Sequence, residues 1–436
     1  LLSRKIPLAP AADPGLRINW NPVSETWRNF QFLRGNRTVF LSVLGISWFW
    51  FFGAMFVTQF PNLSKNVLIA DEHVVTLLLV VFSIGIGAGS LLCERLSGHK
   101  IEIGLVPFGS IGLTLFGVDL HFALADHIRD GPVTLGEFVR EMGHWRILGD
   151  LLLIGVFGGL YIVPLYALVQ RRGEAAHLSR IIAGNNILNA LFMVAAALLA
   201  IVLFQLGLGI PDVLLITALL NAAVAVYIYT LVPEFLMRFL VWLLIHSVYR
   251  LEKTGLENIP EEGPALLVCN HVSFVDALII AGACRRPVRF VMDHNIFRVP
   301  VLNFIFRTGR AIPIASSRDD PELLEKAYEE IARGLEAGDV ICIFPEGRIT
   351  DTGEMYPFRP GIKRIVERTP VPVVPLALRG LWGSFFSRKG GRAMTRPFRR
   401  GVFSRIGLIA GVPVPPQRVT PEGMQEQVLA LRGDMR

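Results

Sequence analysis

Six long apolar stretches crowd the first half of the chain, near residues 38–60, 73–93, 103–120, 147–169, 181–209 and 212–233. A hydrocarbon core of about 30 Å takes roughly 20 apolar residues in a helix, which is about the width of these windows. The segments Thr38–Val57 and Leu151–Val169 carry no charge at all, so a soluble core helix describes them poorly and six membrane spans are expected. Beyond residue 250 charges are spread throughout, as in a soluble domain. The mean hydropathy of +0.49 therefore averages two parts with different solvents. With 52% hydrophobic and 18% charged residues, the chain is neither disordered, nor collagenous, nor a disulfide-stapled secreted scaffold.

Basic residues set the orientation. Arg28, Arg34 and Arg37 precede the first span, Arg95 and Lys100 follow the second, Arg171, Arg172 and Arg180 follow the fourth, and Arg238 follows the sixth. The opposite loops hold Lys65, or Arg129 and Arg140 balanced by Asp126, Asp130, Glu137 and Glu141. The positive-inside bias then places both ends of the hydrophobic block, and everything after residue 235, in the cytoplasm. The formal charge of +7 sits beside apolar stretches and in the C-terminal part, so the expected partner is the lipid bilayer and not nucleic acid. Cys93, Cys269, Cys284 and Cys342 stand far apart inside apolar runs and read as buried hydrophobes in a reducing compartment. No metal site and no cofactor is expected.

Within the block, Gly85 and Gly89, and again Gly155 and Gly159, are spaced four apart, which permits close helix approach in lipid. Asn185, Asn186, Asn189 and Asn221 are polar groups at membrane depth. They read as interhelical hydrogen-bonding groups, with the lining of a substrate path as the alternative. The loop after the second span runs Gly89-Ser-Leu-Leu-Cys-Glu-Arg-Leu-Ser-Gly-His-Lys100. It resembles the acidic-basic-glycine loop that major facilitator transporters carry between the second and third helices of each six-helix half. The resemblance implies that residues 37–233 are the second half of such a fold and residues 1–36 the end of its central cytoplasmic linker. The first half is then expected upstream of residue 1.

Glu234 to Tyr249 is apolar, short for a span and flanked by Arg238 and Arg250, which suits an interfacial helix over residues 234–250. From there short β-branched runs alternate with helical periods. Strands are expected at Ala265–Cys269, Val288–Met292, Ala311–Ile314, Val340–Phe344 and Val371–Leu378, and helices at Val275–Ala283, Pro300–Arg307 and Pro321–Glu336. Residues 251–436 therefore form an α/β domain with a mixed sheet flanked by helices.

Two strand ends carry chemistry. Asn270-His271-Val272-Ser273-Phe274-Val275-Asp276 begins where the first of these strands stops, a place where side chains enter a crevice. With His271 in the loop and Asp276 in the first helical turn, the carboxylate accepts from one ring nitrogen and leaves the other free as a general base. Ser273 and Asp276 also have capping-box spacing, so Asp276 as a simple helix cap is the competing reading. Cys269 reads as core and not as a thiol nucleophile. The second element, Val340-Ile-Cys-Ile-Phe-Pro-Glu-Gly-Arg348, is a strand opening into a forced turn. There Pro345 shapes the chain, Gly347 permits close approach to a ligand, Arg348 offers a planar fork to phosphate, and Glu346 accepts from hydroxyls or braces the arginine. An ordinary surface turn is the alternative.

A strand-end His with Asp five on, then Phe-Pro-Glu-Gly-Arg, then Val371-Pro-Val-Val-Pro-Leu-Ala-Leu378, together resemble the glycerolipid acyltransferase family, of the 1-acylglycerol-3-phosphate acyltransferase type, over roughly residues 250–415. The resemblance implies a base at His271 assisted by Asp276, and substrate contacts from Asn270, Ser273, Pro345, Glu346, Gly347 and Arg348. Where the family has glycine followed six residues later by arginine, this chain has Gly309 and Ala315, with Arg310 and Arg318 as nearby substitutes. Facilitator-like helices ahead of such a domain also resemble the lysophospholipid transporter and acyltransferase fusions of bacteria. The implied activity is transfer of a fatty acyl group from acyl carrier protein or coenzyme A to the free hydroxyl of a lysophospholipid, of the lysophosphatidic acid or lysophosphatidylethanolamine type, at the cytoplasmic side of a bacterial inner membrane. The competing class is a lysophospholipid transporter whose cytoplasmic domain traps the delivered lipid. No Gly-x-Ser-x-Gly elbow, Walker loop or His-Glu-x-x-His motif occurs.

Overall fold

The computed structural model describes residues 19–97, 102–125, 132–231, 233–284, 286–298, 303, 306–391, 393–394 and 404–435. Much of the expected linker and most of the expected helix 300–307 lie outside the described residues. The chain divides into two compact units, Leu1–Phe235 and Leu236–Arg436.

The first unit is helical: α1 (Pro22–Gly35), α2 (Arg37–Val57), α3 (Phe60–Asn66), α4 (Glu72–Ser97), α5 (Leu105–Ala125), α6 (Leu135–Arg140), α7 (Met142–Arg172), α8 (Leu178–Gln205) and α9 (Ile210–Leu231). Six helical segments are long and apolar enough to cross a membrane, the first formed by α2 and α3 together. Asn36 ends α1 and starts α2, its side chain accepting from the Thr38 and Val39 amides as an N-cap. The spaced glycines meet: a Cβ on Gly89 would lie 2.0 Å from the Val156 carbonyl oxygen, and one on Gly159 2.6 Å from the Ser90 amide. Helices α4 and α7 thus touch backbone to backbone. Polar groups at depth bond across helices. Trp48 Nε1 donates to Asn221 Oδ1 (2.9 Å), Asn221 Nδ2 donates to the Ser110 carbonyl (3.0 Å) and Thr114 Oγ1 (2.9 Å), and Ser47 Oγ donates to Asn189 Oδ1 (2.9 Å). Such bonds are the ordinary answer to a polar group away from water.

The chain continues through helix α10 (Pro233–Leu243) and a five-residue π turn, Leu244–Val248, into β1 (Tyr249–Thr254). The helix expected over residues 234–250 is therefore shorter, and its last residues already belong to the sheet. The second unit has a seven-stranded sheet in the order β1-β7-β6-β2-β5-β3-β4. Its other strands are β2 (Ala265–Cys269), β3 (Val288–Asp293), β4 (Ile312–Ile314), β5 (Val340–Ile343), β6 (Val373–Arg379) and β7 (Ser404–Ala410). Strands β2 to β6 run parallel, β7 runs antiparallel to β6, and β1 follows β7, so the sheet is mixed. The flanking helices are α11 (Asp276–Ala283), α12 (Pro321–Glu336), α13 (Gly361–Arg368) and α14 (Pro421–Arg432). The bounds of β2 and α12 match the expected ones, whereas β1, β7, α13 and α14 have no counterpart in the expected pattern.

Strand β2 is buried along its whole length. Successive side chains point to opposite faces. Ala265, Leu267 and Cys269 therefore join a core with Ile279 and Ile280 of α11, and Leu266 and Val268 join another with Ile331, Ile362 and Val428 of α12, α13 and α14. Helices on both faces leave the carboxyl ends of the central strands as the open crevice of the domain.

Candidate active site

The register of the two middle strands brings the two sequence motifs together. Strands β2 and β5 are parallel neighbours with Val268 opposite Ile343, which aligns His271 with Glu346 just beyond the strand ends. The His271 amide donates to Glu346 Oε1 at 2.7 Å, and the Thr350 amide donates to the His271 carbonyl at 3.0 Å. Phe344, the residue before the turn, lies under the imidazole with ring centroids 4.3 Å apart and planes 20° from parallel.

Asp276 is fully buried at the start of α11. Its Oδ2 accepts from His271 Nδ1 (2.9 Å), the Val272 amide (2.6 Å) and the Ser273 amide (2.9 Å), and its Oδ1 accepts from Ser273 Oγ (2.6 Å). Four donors satisfy a carboxylate that would otherwise be costly to bury. The capping and orienting readings of Asp276 thus coincide: one carboxylate holds the loop amides and the imidazole. Because that carboxylate is an acceptor, Nδ1 carries the hydrogen and Nε2 keeps its lone pair. The His271 side chain remains 19% exposed.

Several residues named as substrate contacts are engaged within the framework. The Asn270 amide group spans one residue of β6, donating to the Leu378 carbonyl (3.1 Å) and accepting from the Leu378 amide (2.8 Å). Ser273 Oγ is turned onto Asp276. Pro345 is buried, and its carbonyl accepts from the Arg359 amide at 3.0 Å. Both Glu346 oxygens are occupied, the second by the Tyr356 amide at 2.7 Å. Burial pushes the Glu346 carboxyl up to about 7, against the lowering effect of its bonds from the Tyr356 and His271 amides. Glu346 therefore braces two loops and not Arg348, which stacks instead on Tyr356 with its Cζ 3.7 Å from the ring centroid.

Gly347 and Arg348 are exposed at the turn. Gly347 has φ +68°, a backbone conformation that favours glycine, and the group a Cβ would meet at 2.6 Å is the end of the exposed Arg359 side chain, which can move aside. Arg310 is not brought to this site. Its carbonyl accepts from Arg289 Nε (3.0 Å), and the same guanidinium bonds Asp339 ahead of β5, at the amino ends of the strands. His271 lies beyond their carboxyl ends, roughly 15 Å further along the strand direction at about 3.3 Å per residue. Arg318, after β4, is exposed on the carboxyl side.

Cys269 is wholly buried, and burial pushes its thiol well up, which suits a core residue and not a nucleophile. Among the described residues no group of three or more His, Cys, Asp or Glu side chains is placed to hold a metal ion. Phe344 and Tyr356 contact the site residues, and Arg388 lies with its guanidinium carbon 5.5 Å from the centroid of the Phe274 ring; none of the three is singled out from sequence. Only Phe344 lay inside a quoted motif. Tyr356 and Arg388 arrive through loops whose paths no local pattern reveals.

The acyltransferase family model matches residues 250–379. Those residues are similar to an acyltransferase-family domain. The domain holds every site residue described above except Arg388. A chloroplastic 1-acyl-sn-glycerol-3-phosphate acyltransferase of Brassica napus is 30% identical over 137 residues, which cover 31% of this chain and 39% of the relative. The 1-acyl-sn-glycerol-3-phosphate acyltransferase alpha of Homo sapiens is 27% identical over 203 residues, covering 43% of this chain and 64% of the relative. The crystal structure of the 1-acyl-sn-glycerophosphate acyltransferase from Thermotoga maritima is similar at 23% identity and a TM-score of 0.36, over 46% of this chain and 77% of that one. The chain spans only about two fifths of the length of the first of these relatives.

Proposed function

We propose that this protein transfers a fatty acyl group from a thioester, carried by coenzyme A or acyl carrier protein, to the free hydroxyl of a lysophospholipid. The observation that carries this reading is the His271–Asp276 pair, 2.9 Å apart, joined through the His271 amide to the Glu-Gly-Arg turn. An alcohol is a poor nucleophile at neutral pH. His271 Nε2 takes the hydroxyl proton as oxygen attacks the thioester carbon, the C–S bond breaks as the tetrahedral intermediate collapses, and the departing sulfur receives that proton. General base catalysis of this kind contributes roughly 10²–10⁴-fold. Asp276 fixes the ring and balances the positive charge that forms on it.

A lysolipid acceptor suits a chain with six membrane-length helices, because each buried methylene adds about 0.8 kcal/mol of preference for an apolar phase. Within the same reading these helices are the second half of a facilitator-type bundle in a bacterial cytoplasmic membrane. The Arg and Lys distribution supports a cytoplasmic acyltransferase domain, and helix α10 lies in the interface. The acceptors offered first are lysophosphatidic acid and lysophosphatidylethanolamine.

His271→Ala in the full chain, purified in detergent, is the direct test. Products are read by mass spectrometry with both thioester carriers against a panel of lysolipids. The proposal expects acylated product from the parent protein and loss of at least about 100-fold in the variant. Undiminished turnover in a folded variant overturns the base assignment, and acyl-thioester hydrolysis without any lipid product overturns the acceptor class.

A further inference from the structure

The loop that follows β6 is laid against the catalytic turn. Ser273 and Ser387 form an antiparallel bridge, and the Phe274 amide donates to the Phe386 carbonyl at 3.2 Å. The loop is held in shape by buried Ser387, whose Oγ accepts from the Gly383 amide and donates to the Ser384 carbonyl, each at 2.9 Å. The next residue is Arg388. It is exposed, and its guanidinium carbon lies 5.5 Å from the centroid of the Phe274 ring.

Arg348 stands on the other strand-end loop, two residues past the carboxylate that bonds the His271 amide, with its fork stacked on Tyr356. Two arginines are therefore each tied to the His271 turn, Arg348 through the Glu346 carboxyl and Arg388 through the backbone bond of Phe274 to Phe386. Among the described residues neither forms an ion pair. Asp351 is a carboxylate in the field of both. Its hydrogen bond from the Tyr356 hydroxyl, and then the charges of Arg348 and Arg388, hold it below the usual carboxylate range. Both residues are exposed, and each guanidinium carbon lies over an aromatic ring, which leaves N–H groups for an anion.

We propose that Arg388 and Arg348 form a two-sided clasp for a substrate phosphate beside His271, so that Arg388 is a specificity-determining residue. The nature of the molecule carrying that phosphate rests on the acyl-transfer reading. The phosphate belongs either to the acceptor lipid or to the thioester carrier. A clasp braced on two loops that also fix the base would couple phosphate capture to placement of the reacting hydroxyl or thioester.

The test uses Arg388→Gln and Arg388→Lys in the full chain, in detergent micelles. Binding of lysophosphatidic acid is measured by calorimetry, without turnover, beside monoacylglycerol of the same chain length, which lacks the phosphate. In parallel, KM is compared for acyl-coenzyme A and for an acyl-pantetheine without phosphate. Losing a charge-assisted contact is expected to weaken phosphate binding by about tenfold or more, with partial rescue by Lys. A loss confined to lysophosphatidic acid assigns the clasp to the acceptor, and a loss confined to acyl-coenzyme A assigns it to the donor. Unchanged affinity and KM for both phosphate-bearing substrates overturns the inference, as does an equal loss for their phosphate-free counterparts. Arg388-dependent binding in a parent protein that makes no acylated lipid would support the clasp and overturn the acyl-transfer reading.

Discussion

Replacing Asp276 by Asn removes one charge and keeps the shape of the side chain. The amide oxygen at the Oδ2 position still accepts from His271 Nδ1 and from the Val272 and Ser273 amides, at the present 2.9, 2.6 and 2.9 Å. The amide nitrogen then faces Ser273 Oγ, which turns its hydroxyl to accept. Folding should be little disturbed, since three of four bonds persist and the fourth reverses; what is lost is their charge assistance, about 1–2 kcal/mol in all. Catalysis should suffer much more, because a neutral partner no longer balances the imidazolium that forms as the hydroxyl is deprotonated. A kcat loss of about 10²–10⁴-fold follows, the range expected when general base assistance fails. Asp276→Ala differs in kind. It leaves the His271, Val272 and Ser273 donors without an acceptor in a fully buried position. At about 1–3 kcal/mol per orphaned group the cost is on the order of 5 kcal/mol, enough to unfold a domain of ordinary stability. Steady-state turnover and thermal melting in the same detergent separate the two effects. Wild-type kcat in Asp276→Asn would refute the catalytic pairing, and an unshifted melting temperature in Asp276→Ala would refute the brace.

Gly347→Ala places a Cβ on a backbone at φ +68°, so it should lower stability by about 1–2 kcal/mol and displace the Arg348 turn, seen as a lower melting temperature with raised KM. Glu346 titrates at about 7 in the fold against an ordinary 4.5, so the folded state binds more protons between those values. Its contribution to stability is therefore greatest below about pH 4.5 and is lost as pH rises to about 7, by up to about 3 kcal/mol. Melting curves from pH 4.5 to 8 should show this slope in the parent and not in Glu346→Gln. In the helical unit, Gly89→Val drives a side chain into the Val156 carbonyl, only 2.0 Å from the position of a Cβ. Loss of the α4–α7 contact should appear as a melting temperature several degrees lower in detergent; an unchanged value would show that the two backbones do not meet there.

Local patterns revealed what local physics controls. Apolar windows of membrane length, the glycine spacing, and the bounds of β2 and α12 were all legible, because length, period and Pro-capped starts act within one segment. The spacing of His271 and Asp276 was equally legible, since five residues from loop to first turn suffice to close the bond. Register was not. In the sequence Arg310 is a substitute for the family's arginine because it stands beside Gly309, but only the pairing of β3, β4 and β5 reveals that it sits at the amino ends of the strands. The use of Glu346 on the amide of a residue 75 positions away depends on which strands are neighbours. Strand β1 was hidden because six residues of weak alternation directly follow an apolar helix, and the period changes inside one hydrophobic run.

The ring beneath His271 has a consequence for the timing of proton transfer. A neutral imidazole gains mainly dispersion from lying over Phe344 at 4.3 Å. Once it holds a second proton it is a cation above the electron-rich face of a benzene quadrupole, an attraction of about 0.5–2 kcal/mol when water is excluded. Phe344→Leu would keep the bulk and remove that face, while leaving the aim of the imidazole, set by Asp276, unchanged. Aromaticity directly before the Pro-Glu-Gly-Arg turn thus places a face that favours cations under the ring that acyl transfer would charge, as well as packing it.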